Sequence, residues 1–445
     1  MNRIMTGGTR MLALAGGLAL AGCFGGDEAG DAPKSDKAAK ADTKADAGKA
    51  KAAASKPIEP VQDCIEGEAT DTLIMAQAWF TKEGGRPKPG PARLLIWRNG
   101  PEGWQTSKLE DGDSNVFHKA ILTDDGLITI SAMGAKLKRW NRDDKGCWKA
   151  ETLWEQSWGG KFDRLRDIEV GDVDGDGADE WIIATHDYGV VAVYNPPAEP
   201  GGEPEVIELD KKADTFVHEI EVGDINGDGK VEFFATPSDR NKAGTSQAGE
   251  IVMYRYDGET YKRIVVDGGD HTHAKEILAD DLDGDGKTEF FSVLEAELEN
   301  RQIKEPVKIR LYTENDDGTF SHEDVVTIDD QQTRFLVAGD FDGDGRKEMV
   351  AAAMKTGLYY IDSEVKGDKT EWTITNFDSV SSGFEHASVA HDMDGDGKPE
   401  LYVAADDQQE LKKYTWNDEK KSFDKELIGR YDDDVFTWFV LGGKL

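Results

Sequence analysis

Along most of the chain after Thr70, apolar and polar residues alternate with a period of two in short runs, with no sustained helical spacing between them. Residues 218–269 show the order: HEIEVGD, then EFFATPS, then GEIVMYRYD, then YKRIVVDG, each closed by glycine or acidic turn residues. Each run reads as one strand, so the stretch supplies four. Between the first and second strands stands an acidic loop, and that loop recurs. It is DVDGDGADE at Asp172, DINGDGKVE at Asp224, DLDGDGKTE at Asp281, DFDGDGRKE at Asp340 and DMDGDGKPE at Asp392. The starting points lie 52, 57, 59 and 52 residues apart. A period of about fifty marks a solenoid, a propeller or an array. Four-stranded sheets of this length stack radially, because one such sheet cannot bury both faces alone.

Two further copies lack the acidic loop. Residues 115–158 give FHKAILTDDG, LITISAM, AKLKRWN and CWKAETLWE, with a loop at Thr123–Gly126 too short to hold a metal. Residues 70–110 give TLIMAQAWF, ARLLIWRNG and GWQTSKLED, which match the last three strands and lack the first. The missing strand stands at the other end, where Thr437 to Gly443 reads TWFVLGG. The pattern predicts an all-β, seven-bladed propeller over residues 61–445, its first blade closed by the C-terminal strand. A linear array with ragged ends is the alternative, and it leaves an apolar edge unpaired at each end.

Each loop crowds like charge between apolar strands: Ile168-Glu169-Val170 precedes the first and Trp181-Ile182-Ile183-Ala184 follows it. Such crowding is relieved by solvation in a disordered acidic run or by a bound cation, and the apolar flanks favour the cation over an ion-free acidic turn. Carboxylates or an amide at positions 1, 3 and 5, a carboxylate at 9 and the carbonyl at 7 converge because glycines at 4 and 6 let the backbone curl. That set of hard oxygens suits calcium. The helix–loop–helix calcium site also needs a glutamate at position 12, where this chain has Ile183, Ala235, Ser292, Ala351 and Val403. That alternative fails in every copy.

The loops and their period resemble the FG-GAP or VCBS repeat family, which forms the seven-bladed propeller of integrin alpha chains and of many exported bacterial proteins. The resemblance covers about residues 65–445, is specific for fold and calcium, and says little about activity. It implies about five calcium ions held by Asp172, Asp174, Asp176, Ala178 and Glu180; by Asp224, Asn226, Asp228, Lys230 and Glu232; by Asp281, Asp283, Asp285, Lys287 and Glu289; by Asp340, Asp342, Asp344, Arg346 and Glu348; and by Asp392, Asp394, Asp396, Lys398 and Glu400. The seventh position of each loop contributes its carbonyl. Asn226 lowers the charge of its site.

The N-terminus changes the picture again. Arg3 and Arg10 precede an apolar core, Met11 to Ala21, and Leu20-Ala21-Gly22-Cys23 resembles a bacterial lipobox. Residues 1–22 are read as a lipoprotein signal peptide, with Cys23 lipidated and the mature chain tethered to a membrane. An ordinary cleaved signal is the alternative. Phe24, where aspartate would favour inner-membrane retention, implies an outer-membrane lipoprotein facing the periplasm or the cell surface. Residues 23–60 then form a low-complexity flexible tether. Lipidation leaves Cys64 and Cys147 as an even pair in an oxidising compartment, which is a disulfide or else two buried thiols.

The formal charge of −36, from 89 acidic and 53 basic residues, argues against nucleic acid as a partner. Five divalent ions would offset ten of those charges. Six residues before each loop, at the start of the innermost strand, stand His118, Arg166, His218, Lys275, Arg334 and His386, with Thr437 in the closing strand. They predict a ring at the channel mouth opposite the calcium loops. The ring would attract an anion, such as a carboxylate or an acidic sugar, or else serve as hydrogen-bonding structure between blades. His271 and His273 add imidazoles beside Lys275 that could also hold a transition metal.

Two function classes follow. The first is a monomeric, calcium-stabilised, lipid-anchored binding module for a protein or glycan. The second is a polysaccharide lyase or other sugar-processing enzyme working at the central face. The chain carries no G-x-S-x-G, H-E-x-x-H or dinucleotide glycine motif, so no catalytic residue is assigned and binding is the favoured class.

Overall fold

A computed structural model describes residues 59–445 apart from 66–69, 84–85, 161–162, 200, 241–245, 270–272, 368 and 433. The signal peptide, Cys23, nearly all of the tether and His271 lie outside the described residues. Those described fold entirely as β-structure: seven antiparallel sheets of four main strands, arranged as the blades of a propeller.

Blade 3 shows the plan. Its innermost strand is Leu165–Gly171, followed outward by Glu180–Thr185, Val191–Asn195 and Glu205–Leu209, each paired antiparallel with the last. Blades 2, 4, 5, 6 and 7 repeat it, with innermost strands Phe117–Thr123, Thr215–Gly223, Ala274–Asp280, Thr333–Gly339 and Ser388–His391. The second strand of each is its most apolar. Trp181-Ile182-Ile183-Ala184, Leu401-Tyr402-Val403-Ala404 and Met349-Val350-Ala351-Ala352 are buried on both faces, as a strand between two neighbouring sheets must be.

Blade 1 is assembled from both ends of the chain. Val435–Lys444 pairs antiparallel with Asp71–Glu83, from Asp71 opposite Lys444 to Trp79 opposite Val435. Ala92–Gly100 and Gly103–Asp111 complete the blade outward. The expected closure by the C-terminal strand is what the structure has. Two details were not legible in the repeat. Val61–Gln62 adds a fifth strand outside Gly103–Asp111, and Glu297–Glu299 with Gln302–Glu305 makes a separate hairpin within blade 5.

The core is divided into layers between blades. Phe234 of blade 4 stacks on Phe290 of blade 5 with centroids 3.9 Å apart, and Phe341 of blade 6 meets Phe423 of blade 7 edge-on at 5.4 Å. Burial of these faces holds neighbouring sheets together, at about 1.5–3 kcal/mol for each large apolar side chain.

The N-terminal arm is fixed to the ring. Cys64 is disulfide-bonded to Cys147, in the turn between the two outer strands of blade 2, and Gln62 donates its amide to the Trp148 carbonyl at 3.0 Å. The bond closes a long loop, with 83 residues of sequence separation. Cys147→Ser is therefore expected to cost about 2–4 kcal/mol in urea-induced unfolding under oxidising conditions. A midpoint equal to that of the unmodified chain would remove the disulfide from the list of stabilising bonds.

Candidate functional site

The five acidic loops share one geometry. In the first, the N–H groups of Gly175 and Gly177 donate to the two oxygens of Asp172 at 2.8 and 3.0 Å, and those of Asp176 and Ala178 donate to Asp174 and Asp176. Gly175 and Gly177 have φ of 78° and 92°, and the glycine pairs of the other four loops fall in the same left-handed region, which is why the sequence needs glycine there. The closing glutamate turns back under the loop, where Glu180 accepts the Val173 N–H at 3.0 Å.

In four of the loops this brings ligand oxygens within 4.8 Å of one another: Asp340, Asp342, Asp344 and Glu348; Asp172, Asp174 and Glu180; Asp281, Asp283 and Asp285; Asp392, Asp394 and Asp396. Two observations say that a cation fits. Asp340 Oδ1 is buried without a hydrogen-bond partner. Burial and neighbouring aspartates push Glu180 and Glu289 up to about 7 and Glu348 to about 8. A divalent ion relieves both. The Asn226 loop differs beyond its amide, because Arg255 already pairs with Glu232 at 2.7 Å. Lys413 pairs with Glu400 at 2.8 Å in the loop of blade 7.

Successive loops also touch. Thr288 N–H donates to the Asp224 carbonyl at 3.0 Å, Lys347 N–H to the Leu282 carbonyl at 2.8 Å, and Lys398 Nζ to the Asp342 carbonyl at 2.7 Å. Each joins a loop to that of the preceding blade, so the loops of blades 4 to 7 form one arc on one face.

The opposite face carries the starts of the innermost strands and the ends of the second strands. There the strand register slips between Phe117 and Lys119, Leu165 and Asp167, Ala274 and Glu276, and Thr333 and Phe335. The residues left out of the pairing are His118, Arg166, Lys275 and Arg334. A wider slip, from Val217 to Ile220, frees His218 with Glu219. A β-bulge re-aims the side chain it carries. Five of the six predicted ring positions are thus bulged residues, His386 being the exception, and all six side chains are buried.

The ring is not a set of free cations. Arg166 lies 3.4 Å from Glu219, Lys275 lies 3.2 Å from Glu295, and Arg334 pairs with Glu385. His118 bonds the Leu165 carbonyl at 2.7 Å. His386 does not begin a strand: it stands two residues before Ser388–His391 with φ of 61°, bonded to the Ala353 carbonyl and to Ser381, each at 2.8 Å. Burial holds His118, His218 and His386 below the usual imidazole range, His386 at about 4, so these imidazoles are neutral.

The carboxylates were missed in the sequence, although Glu219 and Glu385 adjoin ring positions directly. Glu295 carries no such local signal, since it follows a second strand. Deeper along the inner strands lies a second group. Lys119 pairs with Asp167 at 2.9 Å and with Glu169, and Glu219, Glu221 and Glu276 crowd around. Burial and then Glu169 push Glu221 well above the usual carboxylate range.

A carboxyl raised in the fold stabilises below its unfolded value and loses that contribution as pH rises through the folded one. Glu221→Gln is accordingly expected to raise the melting temperature by a few degrees at pH 8 and to leave it unchanged near pH 4. Equal shifts at both pH values would contradict the crowding.

Against known proteins, residues 281–351 and 340–403 match the FG-GAP-like repeat. These segments span the acidic loops at Asp281, Asp340 and Asp392. The class is therefore a seven-bladed β-propeller carrying FG-GAP-like repeats. No curated protein matches the sequence. Among solved structures, a candidate 6-phosphogluconolactonase from Bacteroides fragilis is 14% identical, with 84% of this chain and 98% of that one covered and a TM-score of 0.51. A Lactobacillus plantarum protein (11% identity, 84% and 99% covered, TM-score 0.48) and the periplasmic gluconolactonase of Pseudomonas aeruginosa (12%, 83% and 99%, 0.47) are also similar. Likeness at these identities concerns the fold alone.

Proposed function

We propose that this protein is a calcium-stabilised binding module, anchored to the outer membrane through a lipid on Cys23, that presents one end of its propeller to a protein or glycan. The observation that carries this reading is the chemical difference between the two ends. One end holds the acidic loops, whose oxygen donors suit about five calcium ions that fix strand to strand. The other end holds the ring, whose buried polar side chains are kept rigid by their own ion pairs and suit a ligand with hydrogen-bonding groups that reaches them.

A second reading, a sugar-processing enzyme, has one observation in its favour. Glu219, Glu221 and Glu276 are held toward their protonated forms beside Lys119, and a protonated carboxyl is the form a general acid uses.

The test incubates the calcium-loaded full chain in detergent with acidic and neutral polysaccharides while retention and polymer length are both followed. Retention without shortening supports the binding module. Shortening moves the assignment to the enzyme, and the absence of both retention and shortening shifts the ligand class to protein.

A further inference from the structure

Four imidazoles run side by side across blades 2 to 5 at the ring end. His118 and His186 have centroids 6.4 Å apart, His186 and His218 5.0 Å, and His218 and His273 5.8 Å. His186 follows the second strand of blade 3, and its ring is stacked flat on Phe216 at 4.3 Å with an interplanar angle of 5°. His273 precedes the innermost strand of blade 5. Neither belongs to the six ring positions, although the sequence already places His273 as an added imidazole beside Lys275.

His186, His218 and His273 are 1%, 2% and 5% exposed. Five of their six ring nitrogens have no hydrogen-bond partner: both on His186, both on His273, and Nε2 of His218. One buried polar atom without a partner is a local cost; five on one side of one channel mouth point to a ligand that supplies the partners.

The chemistry of that ligand follows from the surroundings. After burial, which lowers His186 most, the charges acting on it are Arg164, Arg166 and Lys275, and His218 also feels Lys275 and Arg166. The cations around His186 and His218 repel a metal ion there, while His273 also faces the Glu295 carboxylate, 3.9 Å from its Nε2. Nor do three of these imidazoles converge: among the described residues, the groups of three or more metal-ligand atoms within 4.8 Å are the acidic loops. Neutral imidazoles with successive centroids 5.0 and 5.8 Å apart, each with an N–H to donate, match an acceptor with several oxygens instead.

We propose that His186, His218 and His273 form an oxyanion-binding site at the mouth between blades 3, 4 and 5, with the imidazole N–H groups as donors and Arg166 and Lys275 supplying the field. The site rests on the binding-module reading and narrows it, since the bound group is a phosphate or carboxylate, free or carried on a sugar.

The test titrates the calcium-loaded full chain with inorganic phosphate, with galacturonate oligomers and with zinc, by calorimetry. Saturable binding of phosphate or the oligomers is expected, and the two arms separate a free ion from a sugar acid. His186→Phe, which keeps the stack on Phe216, and His273→Gln are each expected to weaken binding at least about tenfold. His322→Gln, on an exposed outer strand, should leave it unchanged. Two variants guard against one that fails to fold, with cooperative melting as the check. Unchanged affinity in both, or no saturable anion binding by the unmodified chain, overturns the site. Stoichiometric zinc binding lost in the same variants overturns it in favour of a metal. Retention on neutral polysaccharide without binding to either anion would refute this site and leave the binding module standing.

Discussion

Deleting Phe436–Leu445 is expected to abolish the cooperative unfolding transition of the whole propeller, not only that of blade 1. The closing strand contributes Trp438 and Val440 to the buried core, and Phe439 packs against Phe335 of blade 6. Its backbone pairs with Asp71–Glu83 along that strand from Asp71 to Trp79. Thr437 also donates its N–H and hydroxyl to Asp406 of blade 7, at 2.7 and 2.8 Å. Losing several large buried side chains at about 1.5–3 kcal/mol each removes on the order of 10 kcal/mol, as much as the net stability of many domains. The cut also exposes the inner edge of Asp71–Glu83, so aggregation should accompany the loss. Circular dichroism and calorimetry read the result. A truncated chain that melts within a few degrees of the original would mean that the ring does not depend on its seam.

Calcium removal is expected to act on a similar scale. An ion that binds only the folded state, present at a hundred times its dissociation constant, contributes about 2.7 kcal/mol, and several loops are built alike. In chelator the melting temperature should fall steeply, and added calcium should restore it. Magnesium should restore less, because it wants fewer protein oxygens in a stricter octahedron. Because the loops of blades 4 to 7 touch, ions should be lost together, with Asp340→Asn lowering affinity beyond its own blade. A melting temperature indifferent to chelator would refute calcium. The Asn226 loop should bind most weakly of these, since Arg255 already neutralises part of it.

The acidic loops were legible because their signal is local: five donor positions and two glycines lie within nine residues, and the left-handed glycines do what that spacing requires. Ring closure was legible because TWFVLGG repeats the pattern that precedes each loop. The channel mouth was legible only in part. Counting back from the loops found Arg166, Lys275 and Arg334, but their partners come from elsewhere. Glu295 lies 39 residues from Arg334, and Glu385 lies 51 residues from it. His186 meets His218 only because second-strand ends and first-strand starts share one face. His386 was misplaced because its left-handed backbone turns the ring toward blade 6 before the strand begins. A repeat pattern fixes which positions are equivalent along a chain, and says nothing of how one residue leaves that equivalence.

The link between Cys64 and Cys147 bears on mechanics. Force applied to the N-terminal arm would otherwise run into Asp71–Glu83, the strand that carries the noncovalent seam with Val435–Lys444. After peeling Val61–Gln62 from the rim of blade 1, the pull instead meets a covalent bond and passes into the outer turn of blade 2. The seam is shielded from tension for as long as that bond stays oxidised, and a reducing agent would turn the same pull into an opening of the ring.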